Sequence, residues 1–251
     1  MEQRDTAHDT APVRQNRGRP RKVGGKGTNP RDHIISTAVK LFRERGYAKT
    51  SLSEIARQVG LDQSSLYYWF PSKEAILESI FDIGDPTPVM EHIDSYDLDH
   101  TTRLYALIVF DMIKKCELPF DFIELESLAH DNPERFEALF RHYRTYYQAM
   151  VSIIEQGIDA GEFIPCNADE RTVIILSVNE GLQHHYHAKQ RGELILEASG
   201  YTVRNYSPES IGRLCAASTL PAFLAHPERN LATVAHKVHE LLEDLERNEA
   251  V

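Results

Sequence analysis

The 251-residue sequence lacks the features of several common protein classes. Its three cysteines, Cys116, Cys166 and Cys215, show no CxxC spacing, so we expect neither a zinc knuckle nor a disulfide framework. Scattered free cysteines suit the reducing cytoplasm. The longest apolar run, Leu104 to Phe110, is too short for a membrane span, and the polar N-terminus has no signal-peptide pattern. We therefore expect a cytoplasmic protein with no membrane partner.

Catalytic signatures are also missing. The sequence contains no HExxH or GxSxG motif, and its Gly24-Gly25-Lys26-Gly27 run follows no strand that could form a phosphate-binding loop. We expect neither enzymatic activity nor a cofactor. Period-two alternation of apolar residues, which is typical of strands, does not stand out either, so the sequence predicts an all-α fold.

Charge is distributed unevenly along the chain. The formal net charge is −10, yet residues 1–82 hold 14 Lys and Arg against 10 Asp and Glu. The acidic excess therefore lies entirely in the rest of the chain. A basic head on an acidic body favours docking on a polyanion through one end only.

Residues 50–77 have the pattern of two short helices joined by a tight turn. Ser51 is placed to cap the first helix, with Glu54 three residues later to complete a capping box. Gly60 is placed to end that helix, because glycine readily adopts a left-handed backbone. Asp62 can then cap a second helix. The pattern predicts a helix-turn-helix, which makes double-stranded DNA the first partner to consider.

The same residues resemble the signature of the TetR family of bacterial transcriptional regulators. The resemblance rests on the run from Gly60 to Phe70, on Ser72-Lys73-Glu74 and on Gly46-Tyr47. Two positions depart from it: Asp62 stands where the family more often has Ser, and Trp69 where it usually has His or Tyr. The resemblance implies a three-helix DNA-binding head followed by a larger helical domain that binds a ligand and dimerises.

Several side chains of the head are candidate DNA contacts. The start of the second helix usually enters the major groove, where Gln63 can pair with adenine and Ser64 with several base edges. Tyr68, Trp69 and Lys73 are expected to hold phosphates. The alternative is that Tyr67 and Trp69 are packing residues and that the helix pair is only a protein-interaction fold. The candidate set in the head is Ser51, Gln63, Ser64, Ser65, Tyr67, Tyr68, Trp69 and Lys73.

Residues 1–30 form a basic arm rich in Gly and Pro, with no acidic residue between Arg14 and Arg31. This composition cannot build a core, so we expect the arm to be disordered without DNA. The run from Arg17 to Lys22 resembles the core of an AT-hook, whose arginines read a narrow minor groove. A solvated tail that attracts phosphate without reading sequence is the alternative. The candidate minor-groove residues are Arg17, Arg19, Arg21 and Lys22.

We divide the chain into the arm, residues 1–30, a helix-turn-helix domain, residues 31–82, and a helical ligand-binding and dimerisation domain, residues 83–251. The helix-breaking stretch from Gly84 to Pro88 is expected to end the fourth helix. Apolar periodicity then predicts six helices, of which the third is expected to be central. Their predicted ranges are 101–117, 120–129, 133–160, 168–191, 208–225 and 229–247.

The resemblance also implies a homodimer, paired through the helices predicted at 168–191 and 208–225. Two heads related by a two-fold axis would read a palindrome about one helical turn apart. Packing of the same faces inside one subunit is the alternative. The apolar or small residues expected at this seam are Val173, Ile174, Leu176, Ser177, Val178, Gly181, Leu182, Ile211, Leu214, Cys215, Ala216, Ser218, Leu220 and Phe223.

A candidate effector site centres on Asp111, the only charged residue between Leu104 and Ile113. A buried carboxylate needs a partner, which we expect to be Arg144, Tyr143 or Tyr147, with a ligand hydroxyl as the alternative. Nearby phenylalanines favour a small aromatic or phenolic effector. The candidate effector-binding residues are Asp111, Phe122, Tyr143, Arg144 and Tyr147.

Glu180, His184 and His187 form a weaker pattern. They recur at i, i+4 and i+7, which places two imidazoles and a carboxylate on one helix face. Such a face could bind a metal, although histidines at a helix end are more often hydrogen-bonded or solvated. We assign no metal and keep these three residues as a candidate only.

The leading hypothesis is therefore a repressor that binds a palindromic operator as a dimer and is released by a small molecule. An architectural protein that binds A·T-rich DNA without any effector is one alternative. A metal-responsive regulator is another. Operator specificity separates the first two, and metal addition or chelation identifies the third.

Overall fold

The computed structural model describes residues 29–81, 86–131 and 133–249. Helices dominate these residues, and their only β-type pairing is an isolated antiparallel bridge between Phe163 and Leu224. The predicted all-α fold is confirmed. The arm residues Arg17, Arg19, Arg21 and Lys22 lie outside the described residues.

The head contains four helices whose ends follow from local sequence. Asn29 caps the first helix by accepting a hydrogen bond from the Arg31 N–H at 3.2 Å, and Pro30 suits its first turn. Gly60 ends the second helix in the left-handed conformation, with φ of 77°. The helices are α1 (Pro30–Arg45), α2 (Leu52–Val59), α3 (Gln63–Trp69) and α4 (Lys73–Phe81).

Eight further α-helices form the body in the part of the chain that the structure describes. Thr219 is followed by one 3-10 turn, Leu220–Ala222, and Glu137 is preceded by another, Pro133–Phe136. The helices are α5 (Thr87–Asp94), α6 (His100–Glu117), α7 (Phe122–Asp131), α8 (Glu137–Asp159), α9 (Ala168–Gln190), α10 (Ile195–Ala198), α11 (Pro208–Thr219) and α12 (Leu231–Glu249).

The central helix of the body is α6, and the expectation that the helix at 133–160 holds this place is wrong. Helix α6 packs against α5, α8, α9, α11 and α12, and its buried residues surround its axis. Helix α8 instead buries one face, through Tyr146, Met150 and Ile154, and leaves Phe140 40% exposed. Apolar residues recur on both helices, but only the tertiary packing shows which one is enclosed.

Other boundaries also differ from the predictions. Helix α4 ends at Phe81, before the predicted break, and a further helix that was not predicted, α5, begins at Thr87. Pro88 lies in the first turn of α5, where its missing N–H costs no hydrogen bond. Helix α7 begins at Phe122 because the Asp121 carboxylate accepts the Glu124 N–H at 2.9 Å. The short helix α10 was not predicted.

The head joins the body through a shared apolar cluster. Head residues such as Ile34, Phe42 and Leu77 belong to the same buried cluster as Phe120 and Leu125 of the body. A guanidinium N–H of Arg43 also donates to the Glu117 carbonyl at 2.7 Å. Movement of the head relative to α7 must therefore expose apolar surface, which opposes it.

No helix in the described part of the chain is both long and apolar enough to cross a bilayer.

Gly212 of α11 lies directly against the backbone of α6. A methyl group there would lie 3.0 Å from Val109 Cα and 3.0 Å from Met112 Cβ. The Val109 backbone cannot move aside as easily as a side chain can, so the added methyl group overpacks the contact. Gly212→Ala should therefore lower the free energy of unfolding by about 1–3 kcal/mol. Urea denaturation at fixed protein concentration measures the change.

The matched control is Lys237→Ala, at an exposed position of α12, which should change that free energy by less than about 0.5 kcal/mol. Equal stability of Gly212→Ala and the control would show that the two helices separate without cost.

Candidate DNA-binding surface and effector cavity

The candidate DNA-binding surface is built on the capped start of α3. The Asp62 carboxylate accepts the Ser65 N–H at 2.7 Å and the Ser64 hydroxyl at 2.8 Å. These hydrogen bonds, led by the Ser65 N–H, lower the pKa of Asp62. The departure from Ser at this position therefore preserves the cap. Leu66 and Phe70 are buried and fix the opposite side of the helix.

The outer side of α3 is polar and aromatic but carries no Lys or Arg. Tyr68 is 83% exposed and Tyr67 46% exposed, while Trp69 contacts the Tyr68 ring edge-on at a centroid distance of 5.4 Å. Gln63 and Ser64 are exposed at the N-terminal end, and Ser65 is half-buried. Such a surface offers base-edge hydrogen bonds and apolar contacts with thymine methyl groups, and its charge-based attraction to phosphate must come from other elements.

Ser51 lies beside this surface as the cap of α2. Its hydroxyl oxygen accepts the Glu54 N–H at 3.3 Å and lies 3.1 Å from the Ser53 hydroxyl. The expected return bond of a capping box is absent from the described contacts, since the Glu54 carboxylate pairs with Arg45 and lies 3.7 Å from Arg57. Glu54 thus ties α2 to the end of α1.

Lys73 has an internal role that the sequence did not predict. Its ammonium group donates to the Tyr47 carbonyl at 2.7 Å and to the Thr50 carbonyl at 2.9 Å, and it lies 4.0 Å from the centre of the Tyr47 ring. Burial lowers its pKa. Two of its three donors are therefore committed to holding the α1–α2 connection, which differs from the expected role as a phosphate contact alone.

A cavity of 280 Å³ lies where the head meets α6, α7 and α8. Its walls are largely apolar, with a charged group at one side formed by Asp111 and Lys115. Phe122 and Tyr143, two of the candidate effector-binding residues, line it, and their rings stack at 5.4 Å between centroids. The lining residues are Val39, Ile80, Pro86, Phe110, Asp111, Lys114, Lys115, Glu117, Leu118, Phe122, Leu125, Leu139, His142, Tyr143 and Tyr146.

Asp111 is paired with Lys115, not with Arg144 or a tyrosine, so the expected partner is wrong. Lys115 Nζ lies 2.9 Å from an Asp111 oxygen and 3.9 Å from Glu180. The two charges are one helical turn apart on α6, a spacing that was visible in the sequence. Beyond this ion pair, neither the Lys115 ammonium nor the paired Asp111 oxygen has a hydrogen-bond partner among the described residues, so both keep hydrogen-bonding capacity beside the cavity.

Burial shifts the pKa values of the ionisable side chains around Asp111 and Lys115. Burial raises the pKa of Asp111 even though Lys115 opposes the shift, and burial likewise raises the pKa of Glu180. The Tyr143 hydroxyl donates to Glu180 at 3.1 Å, and burial followed by that carboxylate raises the pKa of Tyr143 strongly. With both acids ionised the group carries one negative charge in excess, so it favours a proton or a hydrogen-bond donor over an anion.

Arg144 and Tyr147 lie apart from this cavity. Together with Phe140 they line an open depression on the outside of α8, and the Tyr147 hydroxyl donates to Asp169 at 3.0 Å. Sequence spacing could not show that α8 turns these residues away from Asp111.

The structure does not bring Glu180, His184 and His187 together as metal ligands. Glu180 accepts from Tyr143, His184 Nδ1 lies 3.1 Å from Asp121, and His187 Nε2 lies 3.3 Å from the Lys115 carbonyl. Across residues 29–81, 86–131 and 133–249, no three His, Cys, Asp or Glu side chains are placed to bind a metal ion together.

The faces expected at a dimer seam divide between surface and core. The expectation is wrong for one group, because these residues are buried in the chain's own core: Leu176, Ile211, Cys215, Ala216, Leu220 and Phe223. Burial raises the pKa of the Cys215 thiol to about 12. Val178 and Leu182 are half-buried. The residues that remain exposed on α9 and α11 are Val173, Ile174, Ser177, Gly181, Leu214 and Ser218.

Two family descriptions match the chain. Bacterial regulatory proteins, tetR family, matches residues 34–80, and QacR-like protein, C-terminal region, matches residues 94–199. The first covers the head from α1 to α4, and the second begins at the end of α5 and extends beyond α10. Both the candidate DNA-binding surface and most of the cavity wall therefore lie within matched residues.

Curated relatives include two biofilm operon icaADBC negative transcriptional regulators, both called IcaR. The chain is 28% identical over 117 residues to that of Staphylococcus epidermidis, a match spanning 45% of this chain and 60% of that protein. It is 26% identical over 152 residues to that of Staphylococcus aureus strain Newman, spanning 58% and 78%. The first match thus covers less than two thirds of the relative's length.

Solved structures share the fold. A transcriptional regulator from Saccharomonospora viridis in complex with choline has a TM-score of 0.58 at 20% identity, covering 77% of this chain and 97% of that one. Mycobacterium smegmatis AmtR has a TM-score of 0.57 at 22% identity, covering 90% and 98%.

Removing the charge of Lys115 tests the buried ion pair. Lys115→Met leaves Asp111 buried without its cation, so we expect the free energy of unfolding at neutral pH to fall by about 3–5 kcal/mol. Without Lys115 the pKa of folded Asp111 rises further above its unfolded value near 4, so the variant should lose stability as pH increases from about 4. Urea titrations between pH 4 and 8 measure both effects.

The control for this prediction is Asp111→Leu combined with Lys115→Met, which removes both charges and should recover most of the stability. If Lys115→Met alone were as stable as wild type at every pH, the pairing of Lys115 with Asp111 would be contradicted.

Proposed function

The chain belongs to the TetR family of bacterial regulatory proteins, and we propose that it is a repressor that binds a palindromic operator and is released by a small molecule. The observation that carries the DNA-binding part is α3 itself. The turn between α2 and α3 leaves Gln63, Ser64 and Tyr67 of α3 exposed to solvent, while Leu66 on the opposite side of α3 is buried. This is the geometry with which a recognition helix enters the major groove.

We assign DNA binding to residues 31–82 and effector binding and dimerisation to residues 83–251. The basic arm, residues 1–30, adds attraction to phosphate and contacts with the minor groove. A bacterial cytoplasm, where the chromosome lies, is the compartment in which this activity is useful. Ser51, Ser65, Tyr68 and Trp69 flank the base-reading residues and are assigned to the DNA backbone.

We assign the second copy to the exposed side of α9 and α11. Val173 and Ile174 on α9 and Leu214 on α11 are exposed apolar side chains, and Ser177, Gly181 and Ser218 beside them are small enough to permit close helix contact. Isologous pairing through one such patch generates a two-fold axis. Two recognition helices then match a palindrome, which a single head is too small to specify.

The effector is assigned to the cavity at Asp111, Lys115, Phe122 and Tyr143. Aromatic and aliphatic walls favour a compact ring-bearing molecule, and the partly unsatisfied ion pair provides hydrogen bonds for one polar group, such as a phenolic hydroxyl. Induction requires that this molecule bind the DNA-incompetent arrangement more tightly than the competent one.

Genome-wide binding tests the proposed function. The purified protein is mixed with sheared native DNA, and retained fragments are sequenced. We expect a few sites that share a palindrome. Broad retention of A·T-rich DNA with no shared palindrome would instead support an architectural protein without an effector.

Paired variants of the head test the roles assigned to it. Gln63→Ala should weaken operator binding by about 1–3 kcal/mol and relax the preference at one base pair of each half-site, because a base contact is lost. Fluorescence anisotropy on operators varied at each position measures both.

Lys49→Ala is the matched comparison, at an exposed basic position between α1 and α2. It should weaken binding to all sequences alike and reduce the slope of log affinity against log salt by about 1. Unchanged base preference in Gln63→Ala would remove that residue from the reading surface.

A further inference from the structure

A second cavity lies in the body, at the end of α6 that points away from the head. Its described lining residues come from α5, from the first half of α6 and from the second half of α8, and it has a volume of 190 Å³. The opposite end of α6, at Glu117, is the one that Arg43 of the head contacts. This second cavity is therefore not part of the contact between head and body.

The second cavity is also separate from the cavity at Asp111 and Lys115. Tyr146 lines only the cavity at Asp111, and its buried hydroxyl donates to the carbonyl of Leu107, which lines the second cavity, at 2.5 Å. Arg103, the polar residue of α6 in the second cavity, lies eight residues before Asp111, or about 12 Å along the helix. The two cavities share no lining residue among those described, so they can be occupied independently.

The walls of the second cavity are mainly aliphatic. Ile93 and Leu107 are buried, and the partly buried Met90 and Ile153 pack against the same apolar core. Such walls favour the hydrocarbon part of a ligand. At about 30 Å³ for each water-sized group, a volume of 190 Å³ accommodates a molecule of roughly six to eight non-hydrogen atoms.

The polar side of this cavity offers a hydrogen-bond donor that the described residues leave unused. Arg103 pairs with the exposed Asp94 carboxylate through a terminal nitrogen of its guanidinium group. Its Nε–H is buried and has no acceptor in the described part of the chain. A buried donor without a partner costs about 1–3 kcal/mol, and most such groups in proteins are satisfied. An acceptor bound in the cavity would satisfy this one.

Charge decides which acceptor fits. Asp94 already neutralises Arg103, so a carboxylate ligand would place a second negative charge beside Asp94 with no cation to compensate it. A neutral carbonyl oxygen can accept from Arg103 without that repulsion. Ser152, at the edge of the cavity, supplies a second donor, because its oxygen accepts from the Gln156 amide at 2.8 Å while its own proton has no acceptor among the residues that the structure describes.

We propose that the second cavity is a binding site for a small neutral molecule that carries a carbonyl group, such as an ester, a ketone or a lactone. The carbonyl oxygen accepts from Arg103 Nε and from the Ser152 hydroxyl, and the hydrocarbon part lies against Ile93, Leu107 and Ile153. The inference goes beyond the proposed function and does not depend on it, because this site lies outside both the effector cavity and the DNA-binding surface.

Two probes with the same non-hydrogen atoms test the proposed ligand class. Methyl pentanoate is a neutral ester, and its isomer hexanoic acid is the hexanoate anion at neutral pH. Each is titrated into the full-length protein, and the methyl NMR signals of Met90, Ile93 and Ile153 are followed. We expect methyl pentanoate to shift these signals with a millimolar or lower dissociation constant, as befits so small a ligand. Hexanoate should bind at least tenfold more weakly.

Substitutions in the cavity test the residues assigned to it. Arg103→Met removes the buried donor and should weaken methyl pentanoate binding tenfold or more, the loss expected for one hydrogen bond to a charged group. Ala149→Leu fills the cavity from α8 and should abolish binding, and it carries the test if Arg103→Met does not fold. Arg141→Met is the matched control, since Arg141 is exposed on α8 and lines neither cavity. It should leave the dissociation constant within about twofold of wild type.

Three results would overturn the proposal. One is the absence of any shift of the Met90, Ile93 and Ile153 methyl signals near the solubility limit of methyl pentanoate. The others are equal binding of the two isomers, and a folded Arg103→Met or Ala149→Leu that binds methyl pentanoate as wild type does. The readout needs neither DNA nor effector, so failure to find a shared palindrome contradicts the proposed function and leaves this site to be judged by its own titration.

Discussion

Enclosure of the middle of α6 by neighbouring helices is the constraint on which the rest of the body depends. Five helices pack around it, and α11 approaches so closely that Gly212 lies against the Val109 backbone. The buried section of such a helix can keep ionised side chains only where they neutralise each other. Asp111 and Lys115, one turn apart, meet that requirement, and they meet it where α7 and α8 leave a gap. The position of the cavity's polar group is therefore a consequence of helix packing.

Enclosure also explains how the head is oriented. The end of α6 and the turn into α7 are bonded to α9 through Gln183, and α7 presents Leu125 to the head's apolar cluster. The head thus rests on an element whose position is set by α9, one of the helices assigned to the dimer. A short series of contacts therefore connects the helices assigned to the dimer, the cavity and the head.

Local signals made the head predictable from the sequence. Ser51, Gly60 and Asp62 act within a few residues of their positions in the chain, and each does so in the structure as expected. The structure of the body was harder to predict, because the contacts that arrange its helices join residues far apart in the sequence. The apolar periodicity of residues 133–160 correctly predicted a helix, but it could not show that α6 is more deeply buried than that helix. The pairing of Lys115 with Asp111 was not predicted, although the two residues are four positions apart in the sequence. The placement of Arg144 and Tyr147 depends on how α8 is rotated about its axis, and sequence periodicity does not determine that rotation.

The uncharged recognition helix has a consequence for how the protein finds its site. Sliding and hopping along a chromosome depend on non-specific attraction to phosphate, which α3 lacks and other basic residues provide. The rate at which the protein searches DNA thus depends on basic residues outside α3, whereas the choice of site depends on α3. Substitutions on α3 can redirect such a regulator to a new promoter while its rate of scanning the genome stays the same.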